Sequence, residues 1–176
     1  IANGKIQAPT EKKCNLLIQT LENFVETNTP TEQELKGAQD FGFNGKLIEY
    51  YDTQTLAEIL LARRYFQIHP PNTVEDFFVI ASLLHILHGN RPYALSRRSH
   101  PITPYKPSGP YEYRPLIEQL KVKVQKGLQQ PLPPEFQIGK MFFQDATSWW
   151  PREIDQLDAV ITSPPFFDST RFYLAN

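Results

Sequence analysis

Apolar residues recur at helical spacing through the first two thirds of this 176-residue chain, and this regularity limits the fold more than any other feature. Between about residues 10 and 27, Leu17, Leu21 and Phe24 follow one another at intervals of four and three. This spacing places them on one face of an amphipathic helix. The sequence therefore predicts a first helix here with one buried side.

Start and stop signals predict two further helices after the first. Thr31 and Glu34 form the pattern of a capping box, which opens a second helix. The stretch TQTLAEILLARRYFQI predicts a third helix over about residues 53–68. The two prolines at 70 and 71 cannot continue it, because proline lacks an amide hydrogen and fixes φ.

A fourth and a fifth helix complete the helical part. Thr73 and Asp76 begin the fourth, which continues through VEDFFVIASLLHILH and is apolar almost all round; we expect Gly89 to cap its C-terminus. The fifth helix is predicted from Arg114 to about Lys126.

The periodicity changes after the proline-rich stretch QQPLPPEF, residues 129–136. Two short apolar runs follow, IGKMFFQDA at 138–146 and LDAVITSPP at 157–165, both bounded by acidic or turn residues. Continuous apolar runs of this length are typical of strands buried on both faces of a sheet. The sequence predicts an α/β fold with about two recognisable core strands.

Composition excludes several classes of protein. No apolar run approaches the roughly 20 residues needed to span a bilayer, and the first residues lack the basic start and apolar middle of a signal peptide. We therefore expect a cytoplasmic protein with no membrane partner. The single cysteine, Cys14, cannot form an internal disulfide, and we interpret it as a buried or half-buried structural thiol.

Charge is distributed unevenly although the net charge is only -1. Residues 91–126 carry eight Lys/Arg against two Asp/Glu, whereas the rest of the chain is acidic. Within them, the basic loop (residues 91–114) is dense in Pro, Tyr and Arg. We take its cations as candidate contacts to DNA phosphates or bases, with internal ion pairs as the alternative. The candidates are Arg91, Arg97, Arg98, His100, Lys106 and Arg114, together with Arg171 farther along the chain.

The second apolar run ends in Ser163, Pro164, Pro165 and Phe166. Successive prolines make a rigid bend whose carbonyls lack partners within the bend. Such a bend suits a planar group that carries an amine, because Ser163 and the Pro164 carbonyl can accept its two N–H bonds while Phe166 stacks on the ring.

These residues resemble a family. Ser-Pro-Pro-Phe after an Asp-led apolar run is similar to the catalytic motif of the S-adenosylmethionine-dependent amino methyltransferases of DNA, [Asp/Asn/Ser]-Pro-Pro-[Tyr/Phe/Trp]. Serine in the first place resembles the N4-cytosine members. Phe-Gln-Asp-Ala at 143–146 resembles the acidic strand end that contacts the cofactor's adenine, and SRRSHPITPYKPSGPYEYRP is similar to a loop in one branch of DNA modification methylases.

The resemblance implies a Rossmann-like sheet, S-adenosylmethionine as cofactor and a target base flipped out of the duplex. Cytosine N4 is the preferred target and adenine N6 the next. It implies catalytic roles for Ser163, Pro164, Pro165 and Phe166, and a restriction endonuclease as a candidate partner. The implied cofactor residues are Asp145, Ala146 and Thr162.

One family feature is missing. DFGFNG at 40–45 does not match the Gly-rich cofactor loop, because Phe and Gly fall in the wrong order. We expect a fragment that lacks this loop and is inactive alone, divided into a helix that follows the loop region (1–30), a helical insertion (31–130) and methyltransferase core strands (131–176).

Two alternatives remain open at this stage. The chain could be a non-catalytic helical module that binds DNA or a partner, with TSPPFF as a mere strand end, or an RNA or protein-glutamine amino methyltransferase. No metal site is expected, since His85 and His88 have no further ligand at suitable spacing; we interpret them as a core or interface pair.

Overall fold

The computed structural model describes residues 8–40, 51–88, 112–130, 133–137, 139–140, 142, 145, 150–151, 154, 157 and 159–161. The chain divides into two units, Ile1–Lys140 and Met141–Asn176. The first unit contains every regular element among the described residues, and all of these elements are helices.

Five helices follow one another in the described part of the first unit: α1 Glu11–Thr27, α2 Glu32–Asp40, α3 Thr53–Ile68, α4 Val74–His88 and α5 Leu116–Leu128. The five predicted helices are confirmed, and the ends that were predicted differ from the observed ones by no more than about two residues. Within these described ranges, no helix combines the length and apolar character needed to cross a membrane.

Local side-chain caps begin three of the helices. At α2, Glu34 Oε2 accepts from the amide of Thr31 at 2.7 Å, and the hydroxyl of Thr31 accepts from the amide of Glu34 at 3.2 Å. This is the predicted capping box. Asp52 caps α3, and Thr73 with Asp76 repeats the reciprocal arrangement at α4.

The core forms where α1, α4 and α5 pack against one another, with α3 against α1. Leu21, Val79 and Leu120 are fully buried there, and Cys14 lies among them. A second apolar cluster of Ala38, Tyr51, Leu56 and Leu60 joins α2 to the first half of α3.

The structural role predicted for Cys14 is confirmed, because its side chain is fully buried. Burial, followed by the charges of Glu75, Asp76 and Glu11, raises the pKa of this thiol to about 11. A thiol that stays protonated at neutral pH is a poor nucleophile, so Cys14 acts as a small apolar side chain.

The predicted α/β fold is wrong: the described part of the chain is all-helical. Where the two core strands were expected, at 138–146 and 157–165, the described residues form no strand. Val160 is 61% exposed and Ile161 is 97% exposed. An apolar run becomes a buried strand only when neighbouring strands take up its backbone hydrogen bonds and cover its faces, and no described residue does so here.

Some predictions lie outside the described residues. Gly89, the expected cap of α4, is among them. The division into 1–30, 31–130 and 131–176 stays a prediction.

Candidate functional site

The motif that carries the predicted chemistry lies outside the described residues. This applies to Ser163, Pro164, Pro165 and Phe166, and to Thr162 and Ala146 of the predicted cofactor set. The structure neither brings these residues together nor separates them. Their roles stay predictions from the sequence.

Asp145 is the one described residue of the predicted cofactor set. It lies in the second unit, outside regular secondary structure, and is exposed. Its contact with the cofactor's adenine stays a prediction from the sequence.

Arg114 is the one described residue among the predicted DNA contacts; Arg91, Arg97, Arg98, His100, Lys106 and Arg171 lie outside the described residues. Its guanidinium is 3.5 Å from the carboxylate of Glu112, and the side chain of Arg114 as a whole is 29% exposed. This contact is the ion pair of the alternative interpretation, and the role of Arg114 in binding DNA stays a prediction.

Glu58 on α3 holds the chain just before α5 through both of its carboxylate oxygens. Oε1 accepts from the hydroxyl of Tyr113 and Oε2 accepts from the amide of Leu116, each at 2.7 Å. Leu116 is the first residue of α5, so its amide has no partner within the helix. Glu58 therefore both caps α5 and fixes the end of the basic loop.

The bond to Glu58 also changes the acidity of Tyr113. The pKa of Tyr113 is raised to about 12, chiefly because of this hydrogen bond. Partial burial and the charges of Glu58, Glu118 and Asp52 act in the same direction. Tyr113 therefore remains a neutral hydrogen-bond donor at physiological pH.

Thr55, one turn before Glu58, makes a reciprocal pair with the backbone of Arg114. Its hydroxyl accepts from the Arg114 amide at 2.9 Å and donates to the Arg114 carbonyl at 3.1 Å. Thr55 is 3% exposed. Because water cannot readily replace these bonds at a buried site, they hold the loop backbone firmly against α3.

A hydrogen bond from Tyr51, just before α3, also holds the segment that leads into the basic loop. The hydroxyl of Tyr51, two residues before α3, donates to the carbonyl of Leu87 at 3.3 Å. Leu87 lies in the last turn of α4, four residues before the loop begins. Tyr51, Thr55 and Glu58, called the anchor residues below, therefore hold both flanks of the loop on one short stretch of chain.

A cleft of about 410 Å³ lies beside these anchors, between α1, α3 and the start of α5. Apolar side chains such as Val25 and Leu61 contribute to its wall, and four carboxylates line it: Glu22, Glu26, Glu58 and Glu118. Carboxylates repel phosphate, so this cleft does not suit a DNA backbone.

A second groove, of about 660 Å³, runs between α1 and α5. Lys121 Nζ lies 2.6 and 2.7 Å from the two carboxylate oxygens of Glu22 in its wall, which neutralises that lysine. His85 is exposed, so it is not a core residue, and the side chain of His88 is outside the described set. Across the described residues, no group of three or more His, Cys, Asp or Glu could hold a metal ion.

Comparison with known proteins gives no relative: no protein-family model matches the chain, and no curated protein or solved structure matches it.

The anchor residues were not predicted from the sequence. Thr55 and Glu58 stand in an ordinary helical pattern, and their partners lie 55 to 59 positions away. The one local signal is a spacing of three that places both polar side chains on the same side of α3. That signal does not distinguish an anchor from a solvated helix face.

Proposed function

We propose that this chain belongs to a cytoplasmic S-adenosylmethionine-dependent methyltransferase that modifies an exocyclic amine of DNA, cytosine N4 in preference to adenine N6. The observation that carries the proposal is the Ser-Pro-Pro-Phe sequence at 163–166, directly after an Asp-led apolar run.

The chemistry assigned to the motif is positioning and electrostatic stabilisation. Ser163 and the Pro164 carbonyl accept the two N–H bonds of the target amine, which directs its lone pair away from the ring. Phe166 stacks on the flipped base. With S-adenosylmethionine bound, these contacts would hold the amine nitrogen in line with the cofactor's methyl group, and solvent would take the proton that the methylated nitrogen loses.

S-adenosylmethionine, when bound, supplies the electrophilic methyl group. In this proposal the carboxylate of Asp145 would accept a hydrogen bond from the adenine amine. Ala146 and Thr162 complete the set that would hold the cofactor.

DNA contact is assigned to the basic loop, chiefly through Arg91, Arg97, Arg98, His100 and Lys106, with Arg171 near the flipped base. The acidic lining of the cleft beside α3 does not suit phosphate, so this cleft is not part of the proposed DNA contact. A restriction endonuclease remains the candidate protein partner.

Methyl transfer by the intact protein tests the proposal. Labelled S-adenosylmethionine is incubated with duplex DNA, with RNA and with a cell protein extract, and the methylated nucleoside is identified after digestion. We expect label in DNA as N4-methylcytosine. Ser163→Ala and Phe166→Ala should each reduce transfer by about 100-fold or more, because each removes a group that positions the reacting base.

Ser169→Ala is the matched control, since it removes a serine hydroxyl six positions beyond the motif serine. It should leave transfer unchanged. Full activity of the Ser163→Ala and Phe166→Ala variants would refute the assignment of the motif, and label in RNA or protein instead of DNA would refute the DNA substrate.

A second candidate function is a non-catalytic helical DNA-binding module. The observation that favours it is the all-helical character of the described residues. Tight binding of duplex DNA by an intact protein that transfers no methyl group would select this candidate.

A further inference from the structure

The exposed face of α5 carries opposite charges on either side of an apolar residue. Glu118, Val122 and Lys126 are spaced by four, so they lie on one side of the helix, about one turn apart. All three are exposed, Val122 by 55%. Neither Glu118 nor Lys126 takes part in an ion pair between described residues. Both charges are therefore available to a partner.

The same order of charges continues along the seam, the line where α1 and α5 meet. The groove of about 660 Å³ at one end of the seam is lined by Lys126. The cleft of about 410 Å³ at the other end is lined by Glu26 and Glu118. Glu22 lies in the wall of both, and Lys121 balances its charge. The seam therefore has a basic end, a neutral middle and an acidic end.

This face of α5 is its own complement. Glu118 lies four residues before Val122, and Lys126 lies four residues after it. A two-fold axis at Val122 therefore brings Lys126 of one copy opposite Glu118 of a second copy, and does so twice. The two charges on one helix are about 12 Å apart along its axis, at 1.5 Å per residue. Any other partner would have to carry the same charges in reverse order, which a second copy already does.

We propose that the face of Glu118, Val122 and Lys126 is the interface of a homodimer, in which two α5 helices pack antiparallel about a two-fold axis at Val122. The valine of each copy covers that of the other, which removes apolar surface from water. The two ion pairs fix the direction and register of the helices. Because each copy contributes little more than one helix, the dimer dissociates reversibly. The inference is independent of the proposed methyltransferase function and goes beyond it.

Sedimentation velocity of the 176-residue chain tests the dimer. Concentrations from about 1 to 500 µM cover the range in which small interfaces associate and dissociate. We expect the wild type to change from monomer to dimer as its concentration rises. The dimer Kd should increase with salt concentration, because salt screens exposed charge pairs.

Charge reversal identifies the residues that face each other. Lys126→Glu and Glu118→Lys each convert both ion pairs of the dimer into like-charge contacts, so each should raise Kd roughly tenfold or more. An equimolar mixture of the two variants should associate as the wild type does. In that heterodimer the introduced glutamate of one chain faces the introduced lysine of the other, and the two native charges face each other.

The mixture also controls for folding, since a variant that failed to fold could not recover association. Lys36→Glu on α2 is the matched control: it reverses another exposed lysine without an ion pair between described residues, and it lines neither the groove nor the cleft. It should leave the dimer Kd unchanged.

Three results would overturn the proposal. The first is a wild type that remains monomeric over the whole concentration range. The second is a dimer whose Kd neither charge reversal changes, since its interface would then lie on another face. The third is loss of association in both variants without recovery in the mixture, which would exclude the antiparallel register. None of these results bears on methyl transfer, so the proposed function is tested separately.

Discussion

The two units differ in how far their apolar side chains are buried. In Ile1–Lys140, residues such as Leu21, Val79 and Leu120 are fully buried between helices. In Met141–Asn176, no described residue is buried; Ile154 is half-buried, and five other large apolar residues are 39–97% exposed: Phe142, Trp150, Leu157, Val160 and Ile161. The second unit is nevertheless as rich in apolar runs as the first.

The difference shows that local sequence determines an α-helix to a greater extent than it determines a β-strand. An α-helix satisfies its backbone hydrogen bonds within its own sequence and needs neighbours only along one face. An apolar extended run needs partners for its backbone and for both faces. Helical periodicity is therefore sufficient to predict an element, whereas an apolar run is not.

The largest expected effect tests the difference in burial between the two units. Leu120→Ala should lower the free energy of unfolding by about 2–5 kcal/mol, because it removes a fully buried side chain. Ile161→Ala, at a side chain that is 97% exposed, should change it by less than about 0.5 kcal/mol. Urea denaturation followed by circular dichroism measures both values. A comparable loss in the two variants would mean that residue 161 is covered in solution.

A smaller effect is expected from two glycines of the helical unit, one tightly packed and one open to solvent. A methyl group added at Gly127 on α5 would meet Phe78 Cζ at 2.7 Å, whereas one added at Gly37 on α2 meets nothing within 4 Å. Gly127→Ala should destabilise by about 1–2 kcal/mol, since overpacking exceeds the gain in helix propensity. Gly37→Ala should stabilise by about 0.5–1 kcal/mol.

Melting temperatures of the two glycine variants test this pair. Stabilisation by both would indicate that the packing between α4 and α5 is looser than the contact with Phe78 implies.

The smallest effect concerns acid sensitivity at the start of the helical unit. Burial alone would raise the pKa of Glu75, but hydrogen bonds from Thr10 and the charge of Lys13 outweigh it and hold the pKa below its ordinary value. A carboxylate with a lowered pKa in the folded state stabilises the fold above its unfolded value of 4.5, and this contribution is lost as the pH falls through the folded pKa.

Thermal melts of wild type and Glu75→Gln between pH 7 and pH 3 measure this effect. We expect the wild type to be the more stable at pH 7 and the difference to shrink as the pH falls below about 4.5. A difference that is constant across the range would rule out the carboxylate charge as its cause.

Much of the helical unit could be predicted from the sequence, since its signals are local. Thr31 with Glu34 and Thr73 with Asp76 begin helices as their three-residue spacing predicts. Pro70 and Pro71 follow the end of α3, as proline must. The burial of Cys14 follows from its place on the apolar face of α1.

The fold class and the anchor residues could not be predicted in the same way, because both depend on distant parts of the chain. The run that contains Val160 and Ile161 resembles a buried strand only if covering strands are assumed. Thr55 is polar in sequence and buried in structure, since its partner is the backbone of Arg114, 59 residues away. The side-chain type of a residue such as Arg114 does not show that its backbone accepts or donates a hydrogen bond elsewhere in the chain.

The anchoring of both flanks of the basic loop has an evolutionary consequence. When the ends of a connection are fixed, doubling its length costs only about 0.6 kcal/mol of closure entropy. Homologues of this chain could therefore carry a longer or shorter insert of different sequence between Leu87 and Tyr113 while the five described helices keep their packing.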